Sequence, residues 1–240
     1  MWTRSMKPAR RPSPPSATRC SICGRALYDR LSRDTDPADL STAAMGRRAF
    51  RNRALHYMVA SGRAEGIARA AAQVRKSASM TDTMGALAAL NDTDCPERTE
   101  ALQAFHDRWQ DNPLVLDKWF SLQASSALPG TLARVRELQN HPRFDRTNPN
   151  RLRALVGAFA MGNPVRFHAP DGSGYEFLAD EVLAIDRINP QVAARLSQGL
   201  VRWRRFDSER AAAMTRALRR IVEQPKLSKD VYEIASKGLS

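Results

Sequence analysis

The chain has 240 residues, a formal net charge of +13, and 42% hydrophobic and 26% charged residues. The hydrophobic and charged fractions are close to those of soluble globular domains, and the length allows one large domain or two small ones. They exclude a peptide hormone and a small disulfide-stabilised protein. Aromatic residues make up only 7% of the chain, and the abundant alanine, leucine and arginine favour helices over strands.

Much of the positive charge lies at the N-terminus, where the first 35 residues contain eight basic and two acidic side chains. Prolines are frequent in this stretch, and apolar residues are few. Residues 1–40 are therefore predicted to form a disordered basic tail. A basic tail also raises nucleic acid binding as an alternative function, but the remaining charge is spread over helix faces, which disfavours that function.

No apolar stretch approaches the roughly 20 residues that span a bilayer, and the N-terminus lacks the apolar segment of a secretory signal. The three cysteines are an odd number, which argues against a disulfide framework and suits a reducing compartment. The sequence therefore predicts a cytoplasmic protein without membrane contact.

From Arg47 onward, apolar residues recur at intervals of three and four and are interrupted by proline or glycine, as in amphipathic helices. Four Asn-Pro pairs predict helix starts, because asparagine caps the first turn and proline suits its first position. The pairs are Asn112-Pro113, Asn148-Pro149, Asn163-Pro164 and Asn189-Pro190. Asp207 and Ser228 are predicted to begin two further helices.

Three of the predicted helices carry apolar stripes that need burial. The stripes are Leu152, Leu155, Val156 and Phe159; Val192, Leu196, Leu200 and Trp203; and Met214, Ala217, Leu218 and Ile221. We count about ten or eleven helices joined mainly by short connections, and strand signals are nearly absent. This pattern favours an all-α fold in which helical hairpins stack as an α-solenoid of HEAT or armadillo type.

The sequence lacks the residues of common hydrolytic sites. A zinc peptidase needs a His-Glu-x-x-His helix, which binds the metal through two imidazoles one turn apart. The spacing of His56, His106, His141 and His168 does not allow this, and each is predicted to be an ordinary surface or half-buried histidine. The turn Asp171-Gly-Ser-Gly174 lacks the strand and lysine of a phosphate-binding loop. We therefore predict no catalytic residue in this chain.

Cys20 and Cys23 have the spacing of half a zinc site, since two thiolates on a tight turn can bind one metal ion. Completing the site would require Cys95, a distant histidine or a partner chain. The pair is a candidate metal site, and a pair of free thiols is the favoured alternative.

Six segments of the chain resemble bacterial aminopeptidase N in content, order and spacing. They are Met45-Gly-Arg-Arg-Ala-Phe-Arg-Asn52, Val115-Leu-Asp-Lys-Trp-Phe120, Asn148-Pro-Asn-Arg-Leu-Arg153, Phe167-His-Ala-Pro-Asp-Gly-Ser-Gly-Tyr175, Asn189-Pro-Gln-Val-Ala-Ala-Arg195 and Tyr232-Glu-Ile-Ala-Ser-Lys237. On these segments, residues 45–240 resemble the C-terminal helical domain of that family. The segment before Met45 shows no such likeness.

The resemblance implies a helical domain that packs over a zinc-bearing catalytic domain and encloses a chamber through which peptides reach the metal. Members of the family are metallopeptidases that hydrolyse the first residue from peptides. Neither the His-Glu-x-x-His helix nor the Gly-x-Met-Glu-Asn strand, which recognises the free amino terminus, occurs in this chain. The implied zinc therefore belongs to the parent enzyme's catalytic domain, and this chain is expected to hold no cofactor and to be inactive alone.

By the same resemblance, Arg153, Gln191 and Arg195 match positions that line the peptide route near the substrate-binding end. An arginine there can bind a peptide carboxylate through charge-assisted hydrogen bonds. The alternative is that both arginines cap or pair with neighbouring helices.

The expected partners are the catalytic domain and peptides. The alternative function is a stand-alone α-solenoid that binds peptides or a protein partner along its concave face. A domain that sits against a catalytic partner exposes a large apolar patch when isolated, whereas an independent binder has a polar face.

Overall fold

The computed structural model describes residues 24–33 and 36–240, and these ranges contain helices and connections but no β-strand. The prediction of an all-α fold is therefore confirmed for this part of the chain. The contacts between residues divide the chain into two units, of which the first ends at Phe105 and the second is His106–Ser240.

The first unit contains α1 to α4 and most of α5. The bounds are α1, residues 24–31; α2, Thr42–Ala60; α3, Ala64–Lys76; α4, Met80–Leu90; and α5, Pro96–Trp109. Helices α2, α3 and α4 all pack against one another. Their shared core includes Leu55, Met58, Leu87 and Leu90, each at most 2% exposed.

Helix α1 lies within the stretch that the sequence predicts as a disordered tail. Its Tyr28 hydroxyl donates a hydrogen bond to Gln73 Oε1 at 2.8 Å, and Asp29 pairs with Arg69 at 2.5 Å. Both partners belong to α3, 40 or more residues away along the chain. The helical part of the chain thus begins before residue 40. Residues 1–23 and 34–35 of the predicted tail lie outside the described residues.

The second unit contains the end of α5 and the helices that follow it. The bounds are α6, Pro113–Ala124; α7, Thr131–Leu138; α8, Pro149–Leu152; a π-helical segment, Arg153–Gly157; α9, Ala158–Gly162; α10, Pro164–Phe167; α11, Ser173–Asp186; α12, Pro190–Val201; a 3₁₀ turn, Trp203–Arg205; α13, Ser208–Val222; and α14, Lys229–Leu239. Helices α11 to α14 pack against one another, and α6 packs against α7 and the π-helical segment.

All four predicted Asn-Pro starts are confirmed by hydrogen bonds at the helix N-termini. The capping side chains of Asn112, Asn148, Asn163 and Asn189 accept from backbone N–H groups of Val115, Asn150, Arg166 and Val192, respectively, at 2.9–3.2 Å. Asp207 and Ser228 cap α13 and α14 in the same way. Each cap satisfies an N–H group that has no partner inside the helix.

Two of the three apolar stripes are buried throughout, and the third ends early. The stripes beginning at Leu152 and Met214 are fully buried, but α12 ends at Val201, before Trp203. Trp203 instead lies half-buried in the 3₁₀ turn, where its indole N–H donates to Gly238 O at 2.8 Å.

The described ranges hold fourteen α-helical segments, more than the ten or eleven expected. The π-helical segment divides one continuous helical run into α8 and α9, and α10 is a single turn. Both features depend on local geometry that an apolar repeat does not reveal.

Candidate functional site

Arg153 lies at the surface, at the start of the π-helical segment Arg153–Gly157. Asn148 caps the preceding turn, and the Arg153 guanidinium donates a hydrogen bond to Asn150 Oδ1. The following residues, Ala154 to Gly157, are buried. Since π-helical segments often occur at functional sites, this geometry is compatible with a binding role for Arg153.

Gln191 and Arg195 lie on one exposed face of α12, because residues four apart are neighbours on a helix. The opposite face, with Ala193, Leu196 and Leu200, is buried, so α12 is held firmly in place. Helix α12 also contacts α9, which continues the helical run that contains Arg153. The structure thus places all three predicted residues at the surface, two of them on the same helix face.

The part of the chain that the structure describes contains no candidate metal site. Residues 24–33 and 36–240 contain no cluster of three or more His, Cys, Asp or Glu side chains that could hold a metal ion. Cys20 and Cys23 lie outside these residues. Burial raises the pKa of the Cys95 thiol, which disfavours the thiolate that metals bind. No described residues fit the zinc that the resemblance implies for the parent enzyme.

The segment that carries His168 forms a structural turn. His168 Nδ1 lies 2.9 Å from the Tyr175 hydroxyl, and the two rings flank Phe167, which is 1% exposed. Gly172 has a φ of 71°, in the left-handed region that favours glycine. Burial, with a smaller contribution from Arg210, lowers the pKa of His168 to about 4. These contacts fix the turn before α11, and they provide no nucleophile.

A polar groove of about 520 Å³ opens in the first unit. It is lined by residues of α1 to α4 and their connections, including Arg51, Arg69 and Asp82. Asp82 neutralises Arg51, and Asp29 and Glu65 neutralise Arg69. Because both arginines are paired within the groove wall, their charges stabilise the fold and are not available to a ligand.

His106 and His141 are brought together by the second unit, with their Nε2 atoms 3.1 Å apart. They are 35 residues apart in the sequence, so they do not have the one-turn spacing of a helical zinc motif. No local signal marks the pair.

The outer face of α2 is apolar and exposed. Phe50 is 66% exposed and Tyr57 is 52% exposed, two helical turns apart on the same face. Exposed Ala43 and Ala60 extend this face in both directions; Arg53 lies on it, and partly exposed Arg47 lies beside it. We call Ala43, Phe50, Arg53, Tyr57 and Ala60 the α2 outer face. Single exposed apolar side chains are common, but a stripe of about 25 Å indicates an interaction surface.

No helix in the described ranges is both long and apolar enough to cross a membrane.

Comparisons of sequence identify relatives of the chain. The family described as Domain of unknown function (DUF3458_C) ARM repeats matches residues 17–240, so the match begins upstream of Met45. Aminopeptidase N of Caulobacter vibrioides is 48% identical over 197 residues, which are 82% of this chain and 23% of that protein. Aminopeptidase N of Escherichia coli is 44% identical over 168 residues, which are 70% of this chain and 19% of that protein.

A solved structure is similar in fold as well. The crystal structure of Legionella pneumophila aminopeptidase A in complex with aspartic acid matches with a TM-score of 0.84 and 30% sequence identity. The match covers 93% of this chain and 27% of that one.

The chain thus spans about a fifth to a quarter of the length of these relatives. The ARM-repeat description confirms the prediction of an α-solenoid. The chain belongs to the DUF3458_C family of ARM-repeat domains and is homologous to the C-terminal domain of aminopeptidase N.

Proposed function

We propose that this chain is the C-terminal part of an aminopeptidase that removes N-terminal residues from peptides. In this proposal it packs on a catalytic part, covers the peptide-access chamber and has no activity alone. The relatives that it matches are aminopeptidases several times its length. The chain itself has no His-Glu-x-x-His motif, so the metal chemistry is assigned to the catalytic part.

The observation that carries the proposal is the α2 outer face. Phe50 and Tyr57 project from one face of α2. The opposite face, which carries Leu55, Met58 and Val59, is already buried within the unit. Burying two such aromatic side chains contributes roughly 1.5–3 kcal/mol each, and aromatic residues often dominate the binding energy of interfaces. An apolar face of this kind supports docking on a catalytic part over the alternative of an independent binder with a polar face.

The double variant Phe50→Ser with Tyr57→Ser is expected to lose this docking. The test mixes the chain with Caulobacter vibrioides aminopeptidase N from which the matching 197 residues have been removed. Wild-type chain is expected to co-elute with this fragment and to restore chelator-sensitive release of alanine from an alanyl substrate. The double variant is expected to bind at least about a hundredfold more weakly, since two aromatic anchors that together contribute roughly 3–6 kcal/mol are lost.

Leu114→Ser is the matched control, because Leu114 is 73% exposed on α6 and lies outside the α2 outer face. It should bind and activate like wild type. If the wild-type chain neither co-elutes with the fragment nor changes its activity, the docking proposal fails. An endogenous protein with an intact mass of 26.8 kDa would also favour the alternative, a stand-alone peptide- or protein-binding solenoid.

Within this proposal, Arg153, Gln191 and Arg195 line the peptide route. Arg195→Gln in the assembled enzyme is expected to raise KM for a short peptide about tenfold with little change in kcat. The reason is that a charge-assisted hydrogen bond to the peptide carboxylate contributes to binding equally in the ground and transition states. Arg216→Gln, an exposed arginine on α13, is the control. An unchanged KM in the Arg195 variant would remove this residue from the peptide route.

A further inference from the structure

The contact between His106 and His141 has one consistent arrangement of protons. The backbone N–H of Arg143 donates to His141 Nδ1 at 3.1 Å, so this nitrogen carries no proton. A neutral His141 then has its proton on Nε2 and donates to His106 Nε2, 3.1 Å away. His106 therefore carries its proton on Nδ1, which lies 3.3 Å from Asp107 Oδ1. All three contacts are satisfied when both rings are neutral.

A further proton on either ring breaks one of these contacts. On His141 Nδ1 it would face the Arg143 N–H group, and on His106 Nε2 it would face the N–H group of His141. Two donors facing each other repel and leave a half-buried polar group without a partner.

The pair joins two segments that are distant in sequence. His106 lies near the end of α5, and His141 lies in the connection 139–148 between α7 and α8. Both rings also contact Trp119 of α6, with centroids 4.7 Å and 5.4 Å from its ring. The connection has no regular secondary structure, so its position depends on contacts of this kind.

We propose that His106 and His141 form a pH-sensitive clasp, closed while both rings are neutral, that ties the 139–148 connection to the end of α5. The proposal does not depend on the proposed aminopeptidase function. When the pH falls far enough to protonate His141, the clasp opens and the connection is held only by its remaining contacts, such as the Arg143–Asp111 ion pair, while the surrounding helices stay folded.

The charges around the clasp favour the neutral state of His141. The charged groups around the pair include Asp107 on α5, Asp111 after it, Asp117 on α6, Arg134 and Glu137 on α7, Arg143 in the connection and Arg151 on α8. The same elements also carry Arg108, Lys118, Arg136, Asp145 and Arg146. Asp111, Asp117 and Glu137 are paired with Arg143, Arg151 and Arg134, respectively. Burial, then His106 and the three arginines, lower the pKa of His141.

The sign of the pH effect follows from this lowered pKa. In the open state, His141 takes up a proton near the ordinary histidine value of 6.5, whereas the closed clasp resists protonation. The stability of the closed clasp is therefore fully present above pH 6.5 and is lost as the pH falls toward the lowered pKa of His141.

The test measures amide hydrogen exchange of the full chain from about pH 8 to about pH 5, across the range in which histidines titrate. Rates are corrected for the pH dependence of intrinsic exchange. Protection of residues 139–148 is expected to fall about tenfold over this range, because one hydrogen bond is lost and the connection opens. His106→Phe keeps a ring against Trp119 but removes the acceptor, so protection should already be low at pH 8 and change little with pH.

Two controls separate the clasp from general acid destabilisation. The pKa of His168 is lowered to about 4, so that the global stability also falls as the pH drops below 6.5; exchange in α12 and α13 measures this common effect. His56→Phe, a half-buried histidine of α2 in the first unit, should retain the pH dependence of the 139–148 connection.

Three results would overturn the proposal. The first is equal protection of residues 139–148 at both pH values in wild type. The second is a pH dependence in His106→Phe equal to that of wild type. The third is that Zn²⁺ at neutral pH raises the protection in wild type but not in His106→Phe. That result would assign the pair to metal binding through both Nε2 atoms, which the proton on His141 Nε2 opposes.

Discussion

Replacing Asp82 with alanine is expected to destabilise the fold by about 3–5 kcal/mol, because the change leaves the Arg51 charge buried without a partner. The two side chains form an ion pair at 2.5 Å and are only 6% and 9% exposed. The Asp82 carboxylate also accepts from Asn52 Nδ2 at 3.2 Å. Gln73 donates to both the Asp82 carbonyl and Asn52 Oδ1 at 2.8 Å, so the network joins α2, α3 and α4.

Urea unfolding followed by circular dichroism measures this loss. The control is Glu233→Ala, which removes an ion pair with Lys237 whose side chains are 63% and 74% exposed. Exposed pairs contribute little, so the control should unfold at the same urea concentration as wild type. Adding Arg51→Met to Asp82→Ala should recover part of the stability, because the unpaired charge is then gone. Equal midpoints for Asp82→Ala and the control would show that the buried pair does not stabilise the fold.

Gly174→Ala is expected to destabilise the protein by about 3 kcal/mol, at the upper end of the usual cost of overpacking. A Cβ atom at this position would lie 2.3 Å from the carbonyl oxygen of Phe167 and 2.9 Å from its carbonyl carbon and Cα. These are backbone atoms at the end of α10, so no side-chain rotation can relieve the clash. Phe167 is 1% exposed and packs edge-to-face on Tyr175, so the end of α10 has little room to move.

Gly46→Ala is the matched control for this prediction. Gly46 lies inside α2, and nothing lies within 4 Å of a Cβ atom added there. Alanine at that position should stabilise the protein by roughly 0.5–1 kcal/mol, because glycine loses more backbone entropy in a helix. Thermal unfolding of both variants gives the comparison. A Gly174→Ala variant as stable as wild type would mean that α10 and α11 can separate without cost.

The residue pattern of the segment 167–175 is explained by this geometry. Gly174 permits the close approach of α11 to Phe167, Gly172 adopts the left-handed backbone, and Asp171 accepts from the N–H and hydroxyl of Ser173. His168 and Tyr175 then meet across the turn at 2.9 Å. The sequence predicts a turn here and no phosphate-binding loop, and the structure adds that this turn lets α11 pack closely on the end of α10.

The residues proposed for the peptide route are drawn from the family resemblance. Arg153, Gln191 and Arg195 came from a resemblance to aminopeptidase N, and the structure places all three at the surface. Surface exposure is necessary for contact with a peptide, but it is shared by many other arginines of the chain. Their role stays a prediction that the Arg195→Gln measurement checks.

The sequence by itself determined the all-α class and the starting points of six helices. Capping is a local interaction, in which the side chains of Asn112, Asn148, Asn163 and Asn189 bond to N–H groups two or three residues later. The residue pattern that marks the buried face of a helix is also local, because residues three and four apart share one face. For these reasons the all-α class, the six caps and the stripes from Leu152 and Met214 could be predicted.

Only the tertiary structure decided which side chains meet across long stretches of sequence. Tyr28 bonds to Gln73, Asp82 pairs with Arg51, and His106 meets His141. Each contact depends on how separate helices pack, and packing follows from shape and buried area over the whole unit rather than from any short pattern. For the same reason, α1 was predicted to be part of a tail. Its polar contacts with α3 form only when the two helices pack together, and the local composition gives no sign of them.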